Sequence, residues 1–251
     1  MIKIIKASVL SVLIWLTACS TGGDYREGAD LKKAAHFNVQ LGSGYLAQNK
    51  LQLAKKKLTK ALEQDPDNAL AHSTMALLLE KVGQTEDIES HYEEAMSLDP
   101  ENSDINNNFG TYLCNRGRFD EAQKLFKKAI DDPYYKTPVV AMINAGKCAM
   151  LNSNFELAES FFRRALRVDS RSSAALYYMA ELGSKTNRYL MTRAYMQRYH
   201  TVVNPSAQSL WVQIQAENAL DDKVFMRQLI QKIIKKFPDS DEAGKAMRLM
   251  R

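Results

Sequence analysis

The chain is poor in the residues that build catalytic and metal centres. Its 251 residues include only four histidines and three cysteines. His36, His91 and His200 have no Cys, His or carboxylate at metal-ligand spacing on a matching helix face. His72 falls at a packing position of its segment and reads as a core or half-buried residue. The run Asp99-Pro100-Glu101-Asn102-Ser103-Asp104 lacks the central Gly and the terminal Glu of a Ca²⁺ loop and reads as a helix break. No glycine-rich phosphate loop and no G-x-S-x-G turn is present. These gaps predict no catalytic residue, no metal, no cofactor, no small-molecule substrate and no enzyme. The formal net charge of +5 is too mild to imply nucleic acid as a partner. Beyond the first twenty residues no long apolar run occurs, which predicts a soluble body.

The first twenty residues stand apart. Lys3 and Lys6 precede an uncharged apolar run from Ala7 to Leu16. At about ten residues the run is too short to span a bilayer, which needs roughly 20, and it reads as a secretory leader over residues 1–18. Leu16-Thr17-Ala18-Cys19 then has the form of a bacterial lipobox, with Cys19 as the lipidated first residue of the mature chain. Several acyl chains on one Cys exceed the marginal membrane binding of a single chain. Ser20 follows, rather than the Asp that retains lipoproteins on the inner membrane, so the expected location is the periplasmic face of the outer membrane. Loss of Lys3 and Lys6 lowers the charge from +5 to +3. Residues 19–34, polar and Gly-containing at Thr21 to Ala29, are expected to be a flexible tether.

A 34-residue period organises the rest. Gly42, Tyr45, Ala54, Leu58, Ala61 and Pro66 are followed 34 residues on by Ala76, Leu79, Ile88, Tyr92, Ala95 and Pro100. Gly110, Leu113, Ala122, Phe126 and Ala129 form a third copy. Gly146, Ala149, Ala158, Phe162 and Ala165 form a fourth, displaced by two extra residues within Asp131 to Pro138. This is the tetratricopeptide (TPR) pattern. Small residues at the eighth place let helix A lie close to helix B, large ones fill the space between repeats, and Asp65-Pro66 and Asp99-Pro100 end B helices. Asn68 and Ser103 are expected to cap the A helices that follow. A fifth repeat runs through Leu176, Met179, Ala180, Met196 and Tyr199, with Gly183 where a large residue is usual. A sixth can be drawn through Leu210, Ile214, Ile230, Ile233 and Pro238. The predicted fold is all-α, a right-handed superhelix of five to six TPR helix-turn-helix repeats. Residues 35–204 hold repeats 1–5, and 205–251 a degenerate sixth repeat with a capping helix.

In such a stack fixed positions of each helix A line a concave groove. They place His36, Val39, Ser43 and Leu46, then Leu70, Ser73, Leu77 and Lys81, on that face. Asp104, Asn107, Thr111, Cys114 and Asn115 follow, then Val140, Ile143, Lys147, Met150 and Leu151, and lastly Tyr177, Glu181 and Lys185. Apolar side chains amid polar ones on an open face mark a protein-binding surface; the alternative is that some pack inward. A carboxylate clamp for acidic C-terminal peptides needs Lys and Asn where Val39 and Ser43 stand, so the ligand is not gripped that way. Cys114 and Cys148 occupy neighbouring A helices. An oxidising periplasm favours a disulfide between them, two buried free thiols being the other reading.

The segments Asn107 to Cys114, Gly117 to Ala122, the insert through Pro133-Tyr134 and Thr137-Pro138, Asn144 to Ala149 and Phe161 to Leu166 resemble type IV pilus biogenesis lipoproteins. Members of that family are pilotins, TPR lipoproteins that take the pilus secretin to the outer membrane and support its multimerisation. The resemblance implies a secretin as protein partner and a membrane contact through lipid on Cys19. Val140, Ile143, Lys147 and Tyr177 are then the expected groove contacts. Two rival readings are a periplasmic TPR adaptor for a peptidase or cell-wall enzyme, and a structural subunit of an outer-membrane assembly machine.

Overall fold

The computed structural model describes residues 21–250. The leader, the lipobox with Cys19, and Ser20 lie outside the described residues. Helices pair in sequence order: α1 (Thr21–Ala47) with α2 (Leu51–Gln64), α3 (Ala69–Val82) with α4 (Ile88–Leu98), and α5 (Ser103–Asn115) with α6 (Phe119–Asp131). Next come α7 (Pro138–Leu151) with α8 (Phe155–Val168), α9 (Ser173–Lys185) with α10 (Tyr189–Val202), and α11 (Ala207–Ala219) with α12 (Lys223–Lys236). The last helix, α13 (Asp241–Arg248), packs on both α11 and α12. Each odd-numbered helix from α1 to α11 also touches the next odd-numbered one, and each even-numbered helix from α2 to α10 touches the helix that follows it. This is the connectivity of a right-handed TPR superhelix, in which every repeat buries its apolar face on its neighbours.

One rung per repeat carries the core. Leu58, Tyr92, Phe126, Phe162, Met196 and Ile230 recur at the same place in successive B helices and all are fully buried. Room for the ring of Phe162 comes from Gly146, where a Cβ would collide with the ring's Cε1 atom. In the fifth repeat the rule is inverted. Thr192 stands where the first, third and fourth repeats have Ala, and Gly183 opens the opposite helix: a Cβ there would lie 2.7 Å from the Thr192 hydroxyl. That hydroxyl donates to the Ala180 carbonyl at 3.1 Å, so a buried polar group is satisfied inside the helix pair. The departure at Gly183 is thus one half of a local exchange of sizes.

Two expectations are corrected here. Asn102, not Ser103, caps α5, its Oδ1 accepting from the backbone N–H groups of Asp104 and Ile105 at 3.1 and 3.3 Å. Ser103 instead donates to Asp132 at 2.6 Å. Asp132 also accepts from the Tyr134 backbone N–H at 2.8 Å, and these two bonds hold its carboxyl below the usual range. The two-residue insertion is thereby tied back to the third repeat. The second correction concerns residues 19–34. From Thr21 onward the segment read as a tether belongs to helix α1. Leu31, Lys32, Lys33 and Ala34 are good helix formers, and Ala35 is locked against Ala61 and Ala71, which anchors the helix and lets it propagate backward.

Cys114 of α5 and Cys148 of α7 form a disulfide, with Cα atoms 5.7 Å apart and a sequence separation of 34. Both are buried. Closing a loop of that length removes about 3–4 kcal/mol of chain entropy from the unfolded state. A urea melt with reductant is expected to show a lower midpoint than one without, corresponding to an unfolding free energy smaller by an amount of that order. Identical midpoints, or equal alkylation of the denatured chain with and without reductant, would contradict the bridge.

Candidate partner-binding groove

The inner face of repeats 1–3 contains a groove of about 940 Å³. From α1 it takes His36, Val39, Gln40, Ser43 and Leu46; from α3, Leu70, Ser73, Thr74, Leu77 and Lys81. Asp104 and Asn108 come from α5, and Lys136 from the insert. Close packing of A helix on A helix produces the shape, and it brings together residues some hundred positions apart in the chain.

Its hydroxyls are not equivalent. Thr74 donates to the Leu70 carbonyl at 2.7 Å, an intrahelical bond that occupies it. Lys81 reaches the Leu46 carbonyl at 3.2 Å and so bridges α3 to the end of α1. Ser73 is buried, and its Oγ has no hydrogen-bond partner among the described residues. An unpaired buried hydroxyl costs about 1–3 kcal/mol, and Ser73, 2% exposed at the fifth place of its helix, belongs to the floor of the groove. Leu70 and Leu77 give the groove apolar contact, and Ser43, Asn108 and Lys136 give it polar contact, a combination that suits an extended peptide segment.

The structure divides the expected contacts into three groups. Leu70 and Leu77 line the groove as expected. Val39, Asn107 and Ile143 do not stand free: all three are buried. Val39 packs with Ala35, Ala61 and Ala71, and Ile143 joins the main core. Asn107 accepts a hydrogen bond from Asn144 at 3.0 Å, joining α5 to α7. The fifth place of helix A faces the next helix A, so these side chains shape the floor instead of offering contacts, although Val39 still borders the groove.

The remaining expected contacts lie further along the stack. The Thr111 hydroxyl is spent on the Asn107 carbonyl at 2.9 Å. Val140 and Lys147 are exposed on α7, and the Lys147 ammonium sits 5.4 Å from the centroid of the Tyr178 ring. Tyr177 of α9 is half-buried between Tyr178 and Tyr199, whose ring centroids are 5.8 and 5.7 Å away. Val140, Lys147 and Tyr177 therefore mark a second, aromatic stretch beyond the first groove. Gln40, Thr74, Asn108 and Lys136 were not expected in the site. The first three share the sixth place of helix A, and the fourth comes from the insert, which no repeat position describes.

The histidines hold no metal-like cluster: among the described residues no group of three His, Cys, Asp or Glu converges. His72 is half-buried, and its Nε2 donates to the Pro66 carbonyl at 2.8 Å. Its Nδ1 is then the acceptor for the Nδ1–H of His91 at 2.9 Å. Burial first, and His72 second, hold the His91 imidazole below its usual range. His200 is pushed down to about 4, chiefly by burial.

The chain matches the tetratricopeptide repeat family over residues 57–90 and 91–124. It is 28% identical over 222 residues to the type IV pilus assembly protein PilF of Pseudomonas aeruginosa, covering 86% of this chain and 87% of that one. An uncharacterized protein of Haemophilus influenzae is 34% identical over 138 residues, or 55% of this chain and 77% of its own length. The crystal structure of PilW, a widely conserved type IV pilus biogenesis factor, superposes with a TM-score of 0.79 at 26% identity, covering 85% of this chain and 98% of that chain. Both the sequence likeness to PilF and the structural likeness to PilW run nearly the full length of the stack. The chain belongs to the TPR-containing family of type IV pilus biogenesis proteins.

Proposed function

We propose that the protein is an outer-membrane-anchored pilotin: its groove holds a segment of the type IV pilus secretin, and lipid on Cys19 carries the pair to the outer membrane. The observation that carries this reading is the likeness to pilus assembly factors along the whole stack. The lipobox and the open groove lined by Leu70 and Leu77 support it. Concentrating subunits on one membrane raises their effective concentration and favours ring assembly. The protein contributes no bond chemistry in this scheme; it binds, escorts and concentrates.

The test is co-purification of a ring-forming secretin from a detergent extract, with Leu70→Lys beside the native chain. Leu70 is partly exposed, so its replacement is expected to change stability by no more than about 0.5 kcal/mol. An ammonium in the apolar wall, stripped of water only when the segment docks, is expected to lower affinity for the secretin roughly tenfold, about 1.4 kcal/mol. Secretin multimers that persist in the outer membrane of a strain lacking the protein would end the pilotin reading. Capture of a peptidase, a cell-wall enzyme or an assembly-machine subunit in place of the secretin would favour a rival.

A further inference from the structure

The first repeat has a side that nothing in the fold covers. Gly42 marks the line along which α1 meets α2, because a Cβ on it would lie 2.7 Å from Leu58. On one side of that line Ala35 and Val39 pack against Ala71 of the second repeat. On the other side, at 100° per residue on two antiparallel helices, fall Phe37 and Leu41 of α1 and Leu53 of α2. They are 63%, 46% and 46% exposed. The end repeats of a solenoid normally carry a polar outer face. Here the outer face is apolar, and its rim is basic: α2 holds Lys56, Lys57 and Lys60 against the single acid Glu63, while Lys55 lies on the other side, beside Leu78 and Val82 of the second repeat. Apolar side chains flanked by lysines on a helix surface are the signature of a segment that lies in a membrane interface.

We propose that this end face of the first repeat rests on a bilayer surface containing anionic phospholipid. The inference rests on the anchoring at Cys19 taken above, and the chain length fits it. Helix α1 begins two residues after Cys19. A helix lying along the membrane therefore brings Phe37 and Leu41 down to the lipid with no slack required in the link. Charge complementarity selects the partner, since each lysine near an anionic surface strengthens binding roughly fivefold, and the attraction falls off within a Debye length. The lipid anchor then sets the membrane, and the end face sets the posture. With the stack end-on to the surface, the groove opens sideways into the periplasm.

The anchor and the face are separated by using the mature chain with Cys19→Ser and no leader. Sedimentation is measured with vesicles of pure phosphatidylcholine and with vesicles containing 30% phosphatidylglycerol, a composition chosen on the order of natural anionic content. The proposal expects salt-sensitive binding to the anionic vesicles only. It expects at least a tenfold loss in a Lys56→Glu/Lys60→Glu variant and a comparable loss in Phe37→Ser/Leu41→Ser, each with an unchanged helical signal. Equal binding to both vesicle types, binding to neither, or indifference to these substitutions overturns it. A concentration-dependent dimer that binds no vesicle also overturns it and assigns the face to a second copy. Acyl labelling of the leader-bearing chain reads the anchor independently, so failure of the anchor and failure of the face give different results.

Discussion

The Cys19→Ala protein is expected to fold, to keep its partner and to lose the outer membrane. Each repeat from residue 35 onward buries its own apolar face on its neighbours, and among the described residues that buried core begins at Ala35. The circular dichroism and thermal midpoint of the variant should therefore match those of the native chain. In the proposed anchoring, membrane residence depends instead on acyl chains at about 0.8 kcal/mol per buried CH₂. Removing all of them takes away far more than basic side chains at the surface restore. Density-gradient fractionation should move the protein from the outer-membrane fractions, and the captured secretin should move with it. A variant that melts early, or that no longer co-purifies its partner, would show that anchor and scaffold are not separable.

The second large effect is at Glu217, which is fully buried where α10, α11 and α12 converge. Arg193 Nε donates to its two carboxylate oxygens at 3.1 and 2.8 Å, and an Nη atom bonds Glu217 as well. The same Nη reaches Asp222 at 3.0 Å, and Asp222 caps α12 by accepting from the Phe225 N–H at 3.1 Å. Glu217→Ala leaves a guanidinium against the last repeat with only half of its partners. Breaking a buried pair from one side costs about 3–5 kcal/mol. The lower end applies here, because Arg193 keeps some contact with water and retains Asp222. The loss should be local in a quasi-one-dimensional stack: hydrogen exchange should rise in α11 to α13 and stay slow in α3 to α8. The double variant Arg193→Met/Glu217→Leu should recover most of the loss, since an apolar pair of similar volume avoids burying charge. Uniform loosening of all repeats would refute that picture.

The packing of the repeats was legible in the sequence because it is written as alternating size. A small residue at the eighth place and a large one sixteen residues later, as with Gly146 and Phe162, predict a helix pair whatever lies on the surface. What stood outside that rhythm was not legible. Nothing in the sequence marks Glu217 as buried, because its partner Arg193 lies 24 residues away in a repeat with blurred periodicity. Val39, Asn107 and Ile143 were placed in the groove by counting positions, and counting does not tell a wall from a floor. Lys136 joined the groove through the insert. The tether was misjudged because polar, glycine-containing composition says little about a segment whose far end is packed into a core, as Ala35 is.

The bond between Cys114 and Cys148 has a mechanical consequence. A TPR stack is a spring whose turns slide as neighbouring A helices shift, and a covalent rivet between the third and fourth turns removes that freedom at the middle of the coil. Pulled from its two ends, the oxidised protein would lengthen only in the arms on either side. The groove of repeats 1–3 and the aromatic stretch around Tyr177 then belong to different arms, each able to yield to tension without the other.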